Sequence, residues 1–233
     1  MHHGPFPSIV ADTDSLDARS PPRPRAAAMQ VLRALHRTSA LAIGLYAAMH
    51  IANHLVALAG VPAHLAFMDA ARVVYRQPVA EAVLLACVAF QGASGVWLLL
   101  AGWKARRGAL PWLQASSGAY LALFLLIHVA AIFYGRALGL DTNFYYAAAG
   151  FQVPPFQYFF APYYFLAIVA LFTHVGCALA RRAPQGRRRA LAIGVPMVAG
   201  LVISSLVLAC LAGVVHPFDV PAKYKRTYHA AVA

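Results

Sequence analysis

The chain has 233 residues, of which 61% are hydrophobic and only 11% charged. Soluble domains carry about 25% charged residues, so this composition excludes an ordinary soluble protein. The net charge of +12 comes without a basic patch interleaved with aromatic residues, which argues against nucleic-acid binding. The sequence therefore predicts an all-α, polytopic membrane protein with a bundle of transmembrane helices.

The sequence divides into a polar N-terminal segment, five apolar runs and a short C-terminal segment. The first 25 residues are rich in proline, serine, aspartate and arginine, and we assign residues 1–34 to a flexible cytoplasmic tail. Residues 35–216 contain five apolar runs, each long enough for the about 20 residues that cross a bilayer as a helix. Residues 217–233 form a predicted extracytoplasmic tail. The predicted spans are 38–60, 82–103, 110–135, 156–180 and 190–215.

Basic residues are unevenly divided between the two sides of the predicted bundle. Thirteen lie in the N-terminal tail, at the start of the first span and in the connections after the second and fourth spans, and six lie on the other side. The positive-inside rule then places the N-terminus in the cytoplasm and the C-terminus outside. We expect a multi-pass protein in contact with lipid in a bacterial-type inner membrane.

Histidines within the spans are the most informative polar residues, because polar groups in lipid are costly and mark functional sites. His50 and His128 lie roughly 18 and 21 Å from the inner surface, given a helical rise of about 1.5 Å per residue. His174 lies roughly 10 Å from that surface, in a different layer. Two neutral imidazoles at one depth are suitable axial ligands for a haem iron. The alternative is that each histidine hydrogen-bonds a neighbouring helix and binds no cofactor.

His54 follows His50 by one helical turn and shares its face. Only one of the two side chains can bind a given iron from that side. We expect His54 to contact a haem propionate or a quinone, with a hydrogen bond to Asn53 as the alternative.

Three histidine-containing segments of the predicted spans together resemble those of a known family. They are GLYAAMHIANH (44–54), LQASSGAYLALFLLIHV (113–129) and LFTHVGCALARR (171–182). In this order and spacing, residues 35–215 resemble the single-chain, five-helix cytochrome b subunit of succinate dehydrogenases and fumarate reductases. The sequence DTNF (141–144) also resembles the loop before the fourth span of that family.

The resemblance implies a ligand set. The family holds one haem between its first and third helices and a second between its second and fourth. His50 and His128 match the first pair, and His174 matches one ligand of the second. The second span, FQGASGVWLLLAGWK (90–104), has Gln91 where the family has histidine. Because an amide oxygen is a weak ligand, we expect one haem b, with two as the alternative.

The resemblance also implies a function. The protein would be a non-catalytic anchor subunit that carries electrons between cytoplasmic flavoprotein and iron–sulphur subunits and a membrane quinone. His36, Arg37 and Ser39 resemble a segment near quinone in related two-chain anchors, and simple interfacial anchoring is the alternative for them. The space around Gln91, Ser94 and His174 is a second candidate for the quinone. A stand-alone membrane cytochrome b and a haem-free scaffold of the same fold are the alternative functions.

Overall fold

The computed structural model describes residue 1 and residues 24–229, with backbone alone at residues 24, 25 and 229. Within these residues the chain is helical and contains no strand, which confirms the predicted all-α class. Short 3₁₀ turns follow the first and third helices, at Ala57–Ala59 and Trp103–Ala105. The α-helices are α1 (Pro24–Val56), α2 (Val61–Tyr75), α3 (Pro78–Ala101), α4 (Ala109–Ala137), α5 (Phe144–Gln152), α6 (Gln157–Ala180), α7 (Arg187–Leu211) and α8 (Ala222–His229).

Five of the described helices, α1, α3, α4, α6 and α7, are long and apolar enough to cross a membrane, as the sequence predicts. Their outward surfaces carry exposed aliphatic side chains such as Leu45, Leu126 and Val198, which suit contact with lipid. These helices indicate a multi-pass membrane protein.

The start of α1 differs from the predicted tail boundary. The helix begins at Pro24, so residues 24–34, which we assigned to the flexible tail, are helical. Proline is favoured in the first turn of a helix, and the three alanines at 26–28 are strong helix formers. The rest of the predicted tail lies outside the described residues.

The structure divides into two compact units, Met1–Leu35 and His36–Ala233. In the described part of the first unit, the chain forms the beginning of α1. The second unit contains the remainder of α1 and all the other helices, and it holds every candidate site residue discussed below.

Three short helices, α2, α5 and α8, were not predicted, and they meet at one end of the second unit. Their core includes Phe144, Ala148 and Ala149 of α5, which are almost completely buried. Tyr224 of α8 is 2% exposed in the same cluster, so residues 222–229 fold back onto the bundle instead of forming a free tail. We call this end, formed by α2, α5 and α8, the capped end.

The closest helix pair, α6 and α7, depends on small residues, as is typical of membrane helices. A Cβ atom added at Gly176 of α6 would lie 3.2 Å from the carbonyl oxygen of Ala192 in α7. The Ser204 hydroxyl of α7 is fully buried and donates to the carbonyl of Phe165 at 2.9 Å. The pair therefore forms a rigid support for the helices that carry the site.

Gly200→Ala is expected to lower the free energy of unfolding by about 1–2 kcal/mol, because overpacking exceeds the gain in helix propensity. The new Cβ atom would lie 2.8 Å from the Cβ atom of Phe172, which cannot rotate away. Gly194→Ala on the same helix is the matched control, since no atom lies within 4 Å of its added Cβ. Unfolding of both variants in detergent measures the effect, and equal stability of the two would contradict this packing.

Candidate functional site

The predicted ligand pair is brought together by α1 and α4. The ring centres of His50 and His128 lie 6.1 Å apart, with an angle of 65° between the ring planes. Neither imidazole forms a hydrogen bond with another described residue, although both lie on membrane-spanning helices. The two residues that the sequence places at a similar depth are thus neighbours in the structure.

The separation of the two rings matches that of axial ligands on one metal ion. An imidazole nitrogen binds a metal at about 2 Å, and the ring centre lies roughly 1 Å behind that nitrogen. Two imidazoles on opposite sides of one iron therefore have centres about 6 Å apart. The residues present thus fit a haem, which His50 and His128 would hold together.

Side chains join α1 to α3 and to α4. His36 and Ser39 of α1 form hydrogen bonds with Ser94 and Gln91 of α3, and the ring of His50 lies near that of His128 on α4. Direct helix packing also joins α3 to α4, α4 to α6 and α6 to α7.

An aromatic residue one turn earlier on the same helix packs against each imidazole. Tyr46 stacks on His50 at a ring distance of 5.8 Å, and Phe124 stacks on His128 at 5.1 Å. Residues four apart lie on one helix face, so the sequence itself places these partners. The stacking restricts the orientation of both rings and excludes water from one side of each.

His64 of α2 is a site residue that the sequence reasoning missed, because it lies outside the predicted spans. It is 2% exposed, and its ring lies 5.2 Å from that of His54, which in turn lies 4.8 Å from that of His50. Nδ1–H of His64 donates to the carbonyl of Asn53 at 2.8 Å, and Nδ2 of Asn53 faces its Nε2 at 3.4 Å. Asn53 therefore pairs with His64 and not with His54, the alternative we considered. Nδ1 of His54 is buried without a hydrogen-bond partner.

The DTNF segment holds the capped end together. Asp141 forms an ion pair with Arg72 at 2.8 Å, and the carbonyl of Thr142 accepts a hydrogen bond from the same guanidinium. The Thr142 hydroxyl accepts from Arg76 at 3.1 Å. Asn143 caps α5 by accepting from the backbone amides of its first turn. The segment thus ties α2 to the connection between α4 and α5.

Two of the quinone candidates, His36 and Ser39, form one polar cluster with Gln91 and Ser94 between α1 and α3. Nε2 of Gln91 donates to Nε2 of His36 at 3.0 Å, so Nδ1 of His36 carries the proton and donates to Ser94 at 2.7 Å. Ser94 in turn donates to the Phe90 carbonyl, and the Ser39 hydroxyl donates to Oε1 of Gln91 at 2.7 Å. The amide of Gln91, which stands where the similar family has histidine, therefore forms hydrogen bonds with side chains of α1. Arg37, the third quinone candidate, is exposed.

His174 of α6 lies against α4, in a different layer from His128, as predicted. Its Nδ1 faces the carbonyl of Gln114 at 3.1 Å and the hydroxyl of Ser117 at 3.3 Å. Because a carbonyl can only accept, Nδ1 carries the proton when that bond forms, and Nε2 then has a free lone pair. Gly118 allows the close approach, since an added Cβ would lie 2.9 Å from the imidazole. His174 and His36 are near enough for their charges to interact.

In the part of the chain that the structure describes, no group of three or more His, Cys, Asp or Glu side chains is arranged to hold a metal ion. This excludes nothing for a haem, which needs only one or two protein ligands. Comparisons of the chain with protein-family models, with curated proteins and with solved structures found no match. The family resemblance therefore rests on the three histidine segments and stays a prediction.

Lowering the pH is expected to destabilise the capped end through His64. Burial lowers the pKa of His64 from its ordinary 6.5, the bond to the Asn53 carbonyl opposes this, and Arg72 adds to the lowering. The unfolded chain then takes up a proton that the folded chain does not, so stability falls as the pH drops through 6.5. At pH 5.5 this one residue accounts for at most about 1.4 kcal/mol.

The His64→Gln variant isolates this effect, because glutamine can keep a hydrogen bond but does not titrate in this range. Thermal unfolding in detergent at pH 7.5 and 5.5 should show a smaller loss of stability for the variant than for the wild type. Identical losses in the two proteins would mean that His64 does not stay neutral on folding.

Proposed function

We propose that the protein is a membrane cytochrome b in which a single haem b lies between His50 on α1 and His128 on α4. The observation that carries this proposal is the 6.1 Å separation of two imidazoles that form no hydrogen bonds with other described residues. Three rings lie against the pair, those of Tyr46, His54 and Phe124. Tyr163 packs behind Phe124.

Electron transfer is the function that this ligation favours. When bound, the haem supplies one-electron chemistry, and two axial histidines leave its iron no open position for a substrate. The residues of this chain orient the imidazoles by stacking and bury them between helices. Burial would keep the reorganisation of water during electron transfer small. Nearby charges would raise or lower the reduction potential of the haem.

A single haem is favoured over two by the cluster around Gln91. The family has the histidine ligand of its second helix at this position, and here the amide bonds to His36 and Ser39 from α1. An imidazole of α1 therefore occupies the place next to α3, and His174 has Gln114 and Ser117 as partners instead of a second ligand on α3.

The cluster of His36, Ser39, Gln91 and Ser94 is the proposed quinone site. Quinone carbonyls need hydrogen-bond donors close to the membrane surface, and this cluster contains hydroxyl, amide and imidazole donors in contact with one another. This combines two sequence hypotheses, the segment at 36–39 and the space around Gln91, into one site. On the positive-inside rule it lies on the cytoplasmic side, where flavoprotein and iron–sulphur subunits would deliver or receive electrons.

The first test is a reduced-minus-oxidised absorption spectrum of the full chain, purified in detergent from cells supplied with haem, with haem counted per polypeptide. We expect one b-type haem in the wild type and near-complete loss in His50→Ala and in His128→Ala, because one axial ligand is removed in each. His216→Ala is the control, since His216 is exposed and bonds only to the carbonyl of Leu58.

Three results would contradict the proposal in different ways. Absence of haem from the folded wild type would favour the haem-free scaffold. Haem retained equally in all three variants would place the ligands elsewhere. Two haems per chain would show that His174 has a ligand partner after all.

Ser39→Ala is expected to slow reduction of the haem by a quinol about tenfold while haem content stays at the wild-type level, because one hydrogen bond in the quinone site is lost. Stopped-flow absorption with a short-chain quinol measures the rate. Arg37→Gln, on the same helix but exposed, is the comparison and should leave the rate nearly unchanged at moderate salt. The reverse ranking would place the quinone at the exposed surface instead of in the cluster.

A further inference from the structure

A group of charged residues near the His50–His128 pair has no role in the function proposed so far. Tyr46, which stacks on His50, also contacts Tyr75 of α2 edge to face, with ring centres 5.4 Å apart. Arg76 follows Tyr75 directly in the chain, and Arg136 at the end of α4 pairs with Glu81 of α3. One wall of the candidate haem site therefore carries two cations and one anion.

The two arginines of this wall have more donors than the chain satisfies. Arg76 donates to the Thr142 hydroxyl and forms no ion pair with any described residue, and its Nε is buried without a partner. Arg136 pairs with Glu81, and its Nε is likewise buried without a partner. Since buried guanidinium donors are costly when unpaired, the wall is suited to an additional anion.

Arg72 of α2 also has a buried Nε without a partner, but its charge is paired. It pairs with Asp141 at 2.8 Å and approaches Asp69 at 3.5 Å, and it donates to the carbonyl of Thr142. Its charge is therefore balanced within the chain. The excess of positive charge belongs to Arg76 and to the Arg136–Glu81 pair together, which carry a net charge of +1.

The position of Arg136 along α4 is also suitable for reaching a haem propionate. Arg136 follows His128 by eight residues, which is about 12 Å along a helix. A haem propionate extends from the edge of the macrocycle, and an arginine side chain reaches back several ångströms toward it. The two can meet when the edge of the ring points toward the start of α3, where Glu81 and Arg76 lie.

We propose that Arg76 and Arg136 bind the propionate carboxylates of the haem, with Tyr46 and Tyr75 beside them. This inference rests on the proposed function and deepens it, because it fixes which edge of the macrocycle faces α2 and α3. The propionates are the only anionic groups on the periphery of the ring, and guanidinium groups bind carboxylates through paired, charge-assisted hydrogen bonds. The arginines thus take the propionate role that the sequence suggested for His54, for which a quinone contact was also expected.

The test compares binding of two probes to the full-length apo-protein in detergent. One probe is haem b, and the other is its dimethyl ester, in which both propionates are uncharged. Wild type should bind haem about ten- to hundredfold more tightly than the ester. Arg76→Gln and Arg136→Gln should each reduce this preference by about tenfold, with little change in affinity for the ester itself.

Matched variants distinguish a loss of propionate binding from a loss of folding. Arg76→Lys keeps the charge and should restore most of the preference. Arg107→Gln removes the same charge from an exposed residue remote from the site and should leave the preference intact. Circular dichroism and the bis-histidine spectrum of the ester complex establish that each variant is folded with its axial ligands in place.

The outcomes are distinct. A wild type that binds haem without preferring it over the ester overturns the arginine assignment and leaves the cytochrome proposal intact. Loss of the preference in His54→Gln but not in the arginine variants also overturns it, because the propionates would then point toward α2 through His54. A wild type that binds neither probe overturns the cytochrome proposal and this inference together.

Discussion

The arrangement of this bundle depends on two imidazoles that meet in the membrane without hydrogen bonds to other described residues. A polar side chain in a bilayer is costly unless it is paired, and the rings of His50 and His128 approach to 6.1 Å with Tyr46 and Phe124 stacked behind them. For these rings to meet, α1 has to stand at side-chain distance from α4. The rest of the second unit supports that spacing, with α6 and α7 closely packed on the far side of α4.

Other polar groups of the spans form hydrogen bonds within the chain. His36 and Gln91 bond to each other and to Ser94 and Ser39, and His174 bonds to α4. Buried polar atoms without a partner lie in several parts of the described chain, and they include atoms of Arg106, Gln157 and Arg189. Three others, Nδ1 of His54 and Nε of Arg76 and Arg136, belong to residues that we propose to lie beside the haem.

The capped end protects this region from water. His64 and Phe144 pack together at 5.0 Å over the end of the bundle, and Tyr224 of α8 lies in the same core. The DTNF segment ties α2 to the connection after α4 through Arg72 and Arg76. In such a buried site, nearby fixed charges would set the reduction potential of the proposed haem, because the field of each charge is weakly screened there.

The sequence by itself determined the all-α class, the five spans and the pairing of His50 with His128, because hydrophobic length and helical rise are local properties that fix depth in a membrane. It also identified His36, Ser39 and Gln91 as unusual, but as members of two separate sites. Only the tertiary structure joined them, since contacts between α1 and α3 depend on how the helices rotate about their axes. The same holds for His64, Arg76 and Arg136, which lie at helix ends where sequence periodicity carries no information about neighbours. Their roles were decided by the packing of α2 and α5 on the bundle, a long-range arrangement that no local pattern encodes.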